Sequence, residues 1–281
     1  MSYLNAVGKQ HEPLSLEEIK RKAPSAFAIE PHSSRSARYT YISTSNVIEG
    51  MIRSGFQPFS ASQSSSHIEG KRDFTKHMIR FRRAGAVVSK VGDVIPEIVL
   101  INSHDGTSTY KLLAGLIRLA CLNGLMVSDA ELAALTIKHT GDILQNVVEG
   151  SARLIEDSAK VLDTVGNWQQ LQLTNGEQLA LAESARTLRF GDSEGKVDTP
   201  IKADALLVSR RHADNGSDLW STFNRVQENV IKGGLRARRY DNGIRGRRVT
   251  TREVTGIDQD VKLNRALWQL AEAMAQLKGG K

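Results

Sequence analysis

Lys76-His77-Met78-Ile79-Arg80-Phe81-Arg82-Arg83 alternates with a period of two, so that His77, Ile79 and Phe81 point one way while Met78, Arg80 and Arg82 point the other. The stretch reads as a β-strand with one basic face. Upstream, Phe56 to Ser62 is a first strand, and Pro58 places it at an edge or near a strand start because proline cannot donate to a ladder. Downstream, Ile95 to Ile101 is almost continuously apolar, as expected of a central strand covered on both faces. Asn102-Ser103-His104-Asp105-Gly106 is turn chemistry. Tyr110 to Val127 fits two short strands around a bend, or a helix followed by a strand; its periodicity does not choose.

Around this β-rich stretch the signals are helical. Ser15-Leu16-Glu17-Glu18 forms a capping box ahead of Ile19, and Pro24 ends that helix. A second helix covers Ser45 to Arg53, stopped by Gly55. Ser62 to Gly70, rich in Ser and Gln, reads as a flexible connection. In the second half, Ile143, Val147, Val148, Leu154, Ile155, Leu162 and Val165 make a helical stripe, with Gly166-Asn167 as the expected stop. Further helices are expected at Glu177 to Phe190, Ser217 to Lys232 and Asp258 to Leu277, with Asp258 capping the last. The fold class is α+β: a small antiparallel sheet with a β-β-β-α-like core, followed by a mainly helical C-terminal half. Three regions are expected: an N-terminal extension (1–40), an α+β core (41–190) and a helical C-terminal region (191–281).

The chain has 281 residues, 40% hydrophobic and 25% charged, which is ordinary globular usage and excludes a wholly disordered chain. The lone Cys121 cannot form an internal disulfide and suits a small buried hydrophobe. Leu112 to Val127, interrupted by Arg118 and Asn123, falls short of the roughly 20 apolar residues that span a bilayer. Met1 to Lys20 has no apolar core of the signal-peptide type. A cytoplasmic protein with no membrane contact is the expectation.

Positive charge is concentrated in two places. Between Lys232 and Arg252 eight basic residues face the single carboxylate Asp241, an excess equal to the net charge of the whole chain, +7. Seven of the eight are Arg, which forks onto phosphate and stacks on flat rings. Glycines let the backbone approach a polyanion, and Tyr240 offers a stacking surface; the composition resembles flexible segments that follow single-stranded nucleic acid. The second cluster, Lys71 to Arg83, has six basic residues against Asp73. The candidate nucleic-acid-binding residues are therefore Lys76, Arg80, Arg82 and Arg83 on the strand, and Lys232, Arg236, Arg238, Arg239, Tyr240, Arg245, Arg247 and Arg248 in the Arg-rich segment. The competing reading of each cluster is a solvated surface paired with acids.

Catalytic constellations are weak. Ser103, His104 and Asp105 are consecutive, and side chains consecutive in sequence cannot form a relay. The histidines are scattered and the cysteine is single, so zinc spacing is missing. There is no phosphate-binding glycine loop and no dinucleotide fingerprint. Asp258 with Asp260, or Glu49 with Asp93 and Glu97, lack the diagnostic spacing of a metal-dependent nuclease. No catalytic residue, metal or cofactor is assigned.

Several segments together carry a family resemblance: Gly55-Phe56-Gln57-Pro58-Phe59, Thr75 to Gly85, Pro96-Glu97-Ile98 through Ser108, Asn123-Gly124-Leu125, Gln227-Glu228-Asn229 with Lys232-Gly233-Gly234, and Ile257-Asp258 through Trp268. The chain resembles the phage- and plasmid-borne family called domain of unknown function 932, or uncharacterised protein family 0380. That resemblance implies an intracellular protein of a mobile element, acting when foreign DNA enters as a single strand or is replicated. The order of helix, three strands and helices is similar to the core of phage single-strand annealing proteins of the Red-beta and Erf type, a fold analogy that cannot by itself assign function. The expected function is sequence-independent single-stranded DNA binding by a homo-oligomer, serving ATP-independent annealing or protection. The alternatives are a protein-binding inhibitor of a host replication, repair or defence factor, and a metal-dependent nuclease.

Overall fold

The computed structural model describes residues 12–34, 41–85, 94–118, 123–126, 135–136, 143–192, 194–241 and 244–279. Two compact units divide the chain, Met1–Ala159 and Lys160–Lys281. Cys121 lies outside the described residues. The architecture is α+β.

In the first unit, α1 (Leu16–Lys22) and α2 (Thr44–Arg53) precede an antiparallel sheet of β1 (Phe56–Gln63), β2 (His77–Arg83), β3 (Val94–Asn102), β4 (Lys111–Arg118) and β5 (Asn123–Met126), in that order. A short β6 (Leu135–Thr136) pairs with β4. The apolar run from Tyr110 thus yields two strands, β4 and β5. Each helix starts where a side chain satisfies free backbone N–H groups: Ser15 and Glu18 form the reciprocal box at α1, and Ser43 caps α2. Gly55, with φ of 85°, supplies the left-handed turn into β1.

Cross-strand register assigns the faces. Ile79 lies opposite Leu100 and Ala61, and Arg80 opposite Val99 and Ser60. Ile79, Phe81, Ile98, Leu100, Leu112 and Leu116 therefore share one buried face, while Arg80 shares the other with Val99 and Leu113. β3 is buried along almost its whole length, as its unbroken apolar run predicts. β1 is the edge strand, and its register shifts between Pro58 and Ser60.

The helix α3 (Ile143–Gln170) crosses the unit boundary. Its first half belongs to the sheet unit, where Ser151 Oγ meets Met51 Sδ at 3.5 Å. The expected stop at Gly166-Asn167 is corrected: the helix continues to Gln170. A mid-helix glycine costs roughly 0.5–1 kcal/mol. Continuing carries Trp168 into a buried position 4.6 Å from Trp268 and 5.6 Å from Phe223, ring centre to ring centre. Burying an indole of about 200 Å² at about 25 cal/mol per Å² returns about 5 kcal/mol, several times the glycine penalty.

The second unit adds α4 (Asn175–Phe190), α5 (Ala203–Leu206), α6 (Leu219–Lys232), β7 (Arg236–Asp241), β8 (Ile244–Thr250) and α7 (Ile257–Leu277). α4 is capped by Thr174 with Glu177, and α6 by Asp218. Trp168, Trp220, Phe223 and Trp268 form the aromatic core where α3, α6 and α7 meet. Leu267 and Trp268 of α7 are core residues. The expected cap at Asp258 is also corrected: Gly256 occupies the cap position, and Asp258 and Asp260 sit in the first turn, where the helix dipole favours negative charge. The Arg-rich segment, read from sequence as a flexible tract, contains the two-stranded hairpin β7-β8.

Candidate functional site

The two cationic clusters fare differently. On β2, Arg80 and Arg82 are buried, at 6% and 5% exposure, and both point at the equally buried Glu97 of β3. Arg80 Nη1 donates to one carboxylate oxygen at 3.1 Å and Arg82 Nε to the other at 2.8 Å. Arg82 also lies 4.0 Å over the ring of Phe59. The expectation that this face presents its arginines to a phosphate backbone is corrected: a guanidinium committed to a buried carboxylate cannot be offered to solvent without stranding the carboxylate. Gly115 makes the arrangement possible, because a β-carbon there would lie 2.9 Å from Val99 Cγ2, 3.2 Å from the carbonyl of Leu125 and 3.6 Å from Arg80 Nη1. The alternation of β2 was legible; the partner of its basic face, a lone Glu in an apolar strand, was the signal to weigh. Of the strand candidates, Arg83 is exposed and Lys76 half-buried.

A second polar cluster fills the opposite face of the same strand. His77 Nδ1 lies 3.0 Å from Ser25 Oγ and Nε2 3.0 Å from Thr44 Oγ1. Thr44 Oγ1 is also 3.3 Å from His104 Nε2 and accepts from Asn102 Nδ2 at 3.0 Å. Burial pushes His77 down to about 3, with the neighbouring His104 adding to the effect, and pushes His104 down to about 4. Both rings are therefore neutral near pH 7. Asp105 accepts from the backbone and hydroxyl of Thr107 at 3.0 and 2.6 Å, and among the described residues His104 Nδ1 has no hydrogen-bond partner, so Ser103, His104 and Asp105 form no relay there. The cluster ties α2, β2 and the β3-β4 turn together from inside. Among the described residues no group of three or more His, Cys, Asp or Glu side chains is placed to hold a metal ion.

The hairpin of the second unit is built from a polar helix outward. α6 buries Gln227, Glu228 and Asn229, and each is answered. Gln227 donates to Asn264 of α7 at 2.8 Å. Asn229 donates to the carbonyls of Leu206 and Val208 at 2.9 and 2.8 Å and accepts from Arg210. Glu228 takes both arms of Arg211 and, at 3.3 Å, Lys232. Burial pushes Glu228 up, but the hydrogen bonds and charge of Arg211 and Lys232 outweigh it and hold the carboxyl below its usual range. Lys232, a candidate for phosphate contact, thus serves the root of the hairpin.

From there Gly233 and Gly234 take φ of 60° and 78°, and a β-carbon on Gly233 would lie 2.6 Å from the carbonyl oxygen of Arg252. The pair turns the chain into β7 and lets it close against the strand returning from β8. Gly234 N–H donates to Thr251 at 2.9 Å, and Thr251 N–H to Leu235 at 2.9 Å.

Within the hairpin Arg236 lies opposite Thr250 and Arg238 opposite Arg248, so these three arginines share one face. Past Arg238 the register shifts, Gly246 packs its backbone on the carbonyl of Arg239, and Tyr240 pairs with Arg245. The side chains of Tyr240 and Arg245 lie outside the described residues. Arg236, Arg247 and Arg248 are exposed and Arg238 half-buried, and among the described residues none of the four makes an ion pair. Arg239 does, to Asp198 at 3.1 Å. The hairpin was missed in the sequence although Asp241-Asn242-Gly243, a strong turn signal, divides the segment.

The chain belongs to the family Domain of unknown function (DUF932), whose model matches residues 31–268. It is similar to the UPF0380 protein YafZ of Escherichia coli (strain K12), with 43% identity over 266 residues covering 95% of this chain and 93% of that protein. The UPF0380 protein YfjQ of the same organism is 42% identical over the same coverage. No solved structure matches the chain significantly. Among the described residues no helix is long and apolar enough to cross a membrane.

Proposed function

We propose that the protein binds single-stranded nucleic acid, DNA in preference, without regard to sequence, through the β7-β8 hairpin. The observation that carries this reading is the Arg238–Arg248 cross-strand pair. Like charges directly opposite destabilise a two-stranded ribbon by roughly 0.2–1 kcal/mol relative to neutral pairs. A surface needed only for solubility gains nothing from that placement, whereas a phosphate chain neutralises both members. Arg236 extends the same cationic face, Arg247 beside Arg248 is a further exposed cation of the ribbon, and Tyr240 and Arg245 occupy the part of the ribbon nearest its tip. Contacts of this kind go to phosphate and leave base edges accessible, which suits ATP-independent annealing or protection of a strand belonging to a mobile element. An oligomer would line such hairpins along one strand.

The test is a gel shift with single-stranded DNA, duplex DNA and RNA at two salt concentrations, on the wild type and on Arg236→Ala/Arg238→Ala/Arg248→Ala. Salt-sensitive binding with preference for the single strand is expected, and losing three phosphate contacts should lower the logarithmic salt slope by about 2. Absence of binding at either salt refutes the function; binding unchanged in the triple variant refutes the hairpin as its seat.

A further inference from the structure

The first unit holds cations that neither the hairpin nor the Glu97 cluster uses. A cleft of about 370 Å³ is lined by Arg21 and Lys22 from the last turn of α1, by Ser64, Ser65 and Ser66 after β1, and by Arg72. Basic residues at a helix C-terminus complement the dipole, which accounts for Arg21 and Lys22 but leaves Arg72, contributed by a separate turn. Among the described residues none of the three makes an ion pair. Glu18, one turn away, has its carboxylate engaged with the backbone and hydroxyl of Ser15.

The walls are held together by hydrogen bonds rather than left to chance. Gln63 accepts from the backbone of Ser25 at 2.8 Å and donates to the carbonyl of Arg72 at 2.7 Å. Thr75 Oγ1 donates to the carbonyls of Ser64 and Arg72 at 2.9 and 3.0 Å, and Ser64 N–H donates to Lys76 at 2.8 Å. These bonds hold the backbone of Ser64 and Arg72 in place, and three exposed cations from two elements line the cleft with three hydroxyls among them. Its volume is at the low end of the roughly 300–1,000 Å³ usual for small-ligand sites, more than a bare oxyanion needs. No aromatic ring is among its described lining residues, so recognition must rest on charge and hydroxyl groups rather than on stacking.

We propose that this cleft binds a phosphomonoester, with Arg21, Lys22 and Arg72 taking the dianion and the serine hydroxyls bonding the sugar and remaining phosphate oxygens. Two sources carry that chemistry, a free mononucleotide and the terminal phosphate of a nucleic-acid strand. The assignment does not depend on the hairpin, whose residues lie in the other unit.

The full-length protein is titrated calorimetrically with AMP, adenosine and inorganic phosphate, and by fluorescence anisotropy with one oligonucleotide bearing either a 5′-phosphate or a 5′-hydroxyl. The same titrations are run on Arg21→Ala/Arg72→Ala, which alters no hairpin residue, and on Arg72→Lys, which keeps the charge. AMP bound in preference to adenosine and to inorganic phosphate assigns the free nucleotide. A preference for the 5′-phosphorylated strand assigns the strand end. In either case the double variant, melting with the wild type, should bind at least about tenfold more weakly, the usual order for a lost charge-assisted hydrogen bond, and Arg72→Lys should lose less. If neither phosphorylated probe exceeds its dephosphorylated counterpart, if inorganic phosphate binds as well as AMP with no end preference, or if the double variant binds as the wild type does, the proposal is overturned. The hairpin triple variant separates the two sites, since it should retain AMP binding or the end preference while losing overall affinity.

Discussion

Replacing Glu97 by Gln keeps the shape of the side chain and removes the charge that holds two buried guanidinium groups. Arg80 and Arg82 reach its two oxygens at 3.1 and 2.8 Å, with side-chain exposures of 7%, 6% and 0% for Arg80, Arg82 and Glu97. Removing one member of a buried ion pair costs about 3–5 kcal/mol, because the remaining charge stays buried without compensation. At about 2–4 °C per kcal/mol for a folding unit of 150–250 residues, Tm should fall by about 6–20 °C. Far-UV circular dichroism follows the secondary structure of both units, while tryptophan fluorescence reports the second unit alone, where Trp168, Trp220 and Trp268 all lie. Arg80→Ala and Arg82→Ala should behave likewise, with nucleic-acid affinity changing only as far as the fold is lost. A Glu97→Gln protein melting within about 2 °C of the wild type would show that the carboxylate does not hold those charges. Arg80→Ala that kept its stability and lost nucleic-acid binding would return the strand to the list of contacts.

Acidification should act through the two buried histidines. Their folded-state values of about 3 and about 4 lie below the ordinary 6.5, so the unfolded chain binds protons that the folded one refuses; stability is full above pH 6.5 and declines as pH falls towards about 3, and His77→Gln should flatten that decline in urea titrations. Glu228→Gln should cost about 1.5–3 kcal/mol in chemical denaturation, since it removes the charged acceptor of both Arg211 arms while Arg211 keeps Asp214 at 3.5 Å, whereas Lys232→Ala, at a partner 35% exposed, should cost no more than about 1 kcal/mol. Gly166→Ala should stabilise the protein by about 0.5–1 kcal/mol, because it lies within α3 and a β-carbon there meets nothing within 4 Å. Destabilisation in a Gly166→Ala melt would mean that the helix needs the glycine.

Local patterns were legible where one short-range rule decided them. The period of two in His77–Arg83, the capping box at Ser15 and the apolar run of β3 each led to the element observed. Misreadings arose where a distant partner outweighed a local preference. Gly166 does not end α3, because Trp168 gains an aromatic core by continuing. Asp258 does not cap α7, although it remains in the first turn where its charge is favoured. The Arg-rich segment looked flexible because charge and glycine dominate its composition, while its strand pairing rests on Gly233, Gly234 and the returning strand at Thr251.

Composition and periodicity alone determined the α+β class, the central strand, most helix positions and the concentration of cations in two tracts, since all of these depend on neighbours within a few residues. Burial was decided only by the tertiary structure. It set Glu97 beneath Arg80 and Arg82, so one basic tract became an internal ion cluster, and it left Arg236, Arg238 and Arg248 together on one face of a ribbon. The physical reason is that a charge in sequence has no environment: whether an arginine is a strut or a contact depends on which carboxylate, from how far along the chain, folding brings to it.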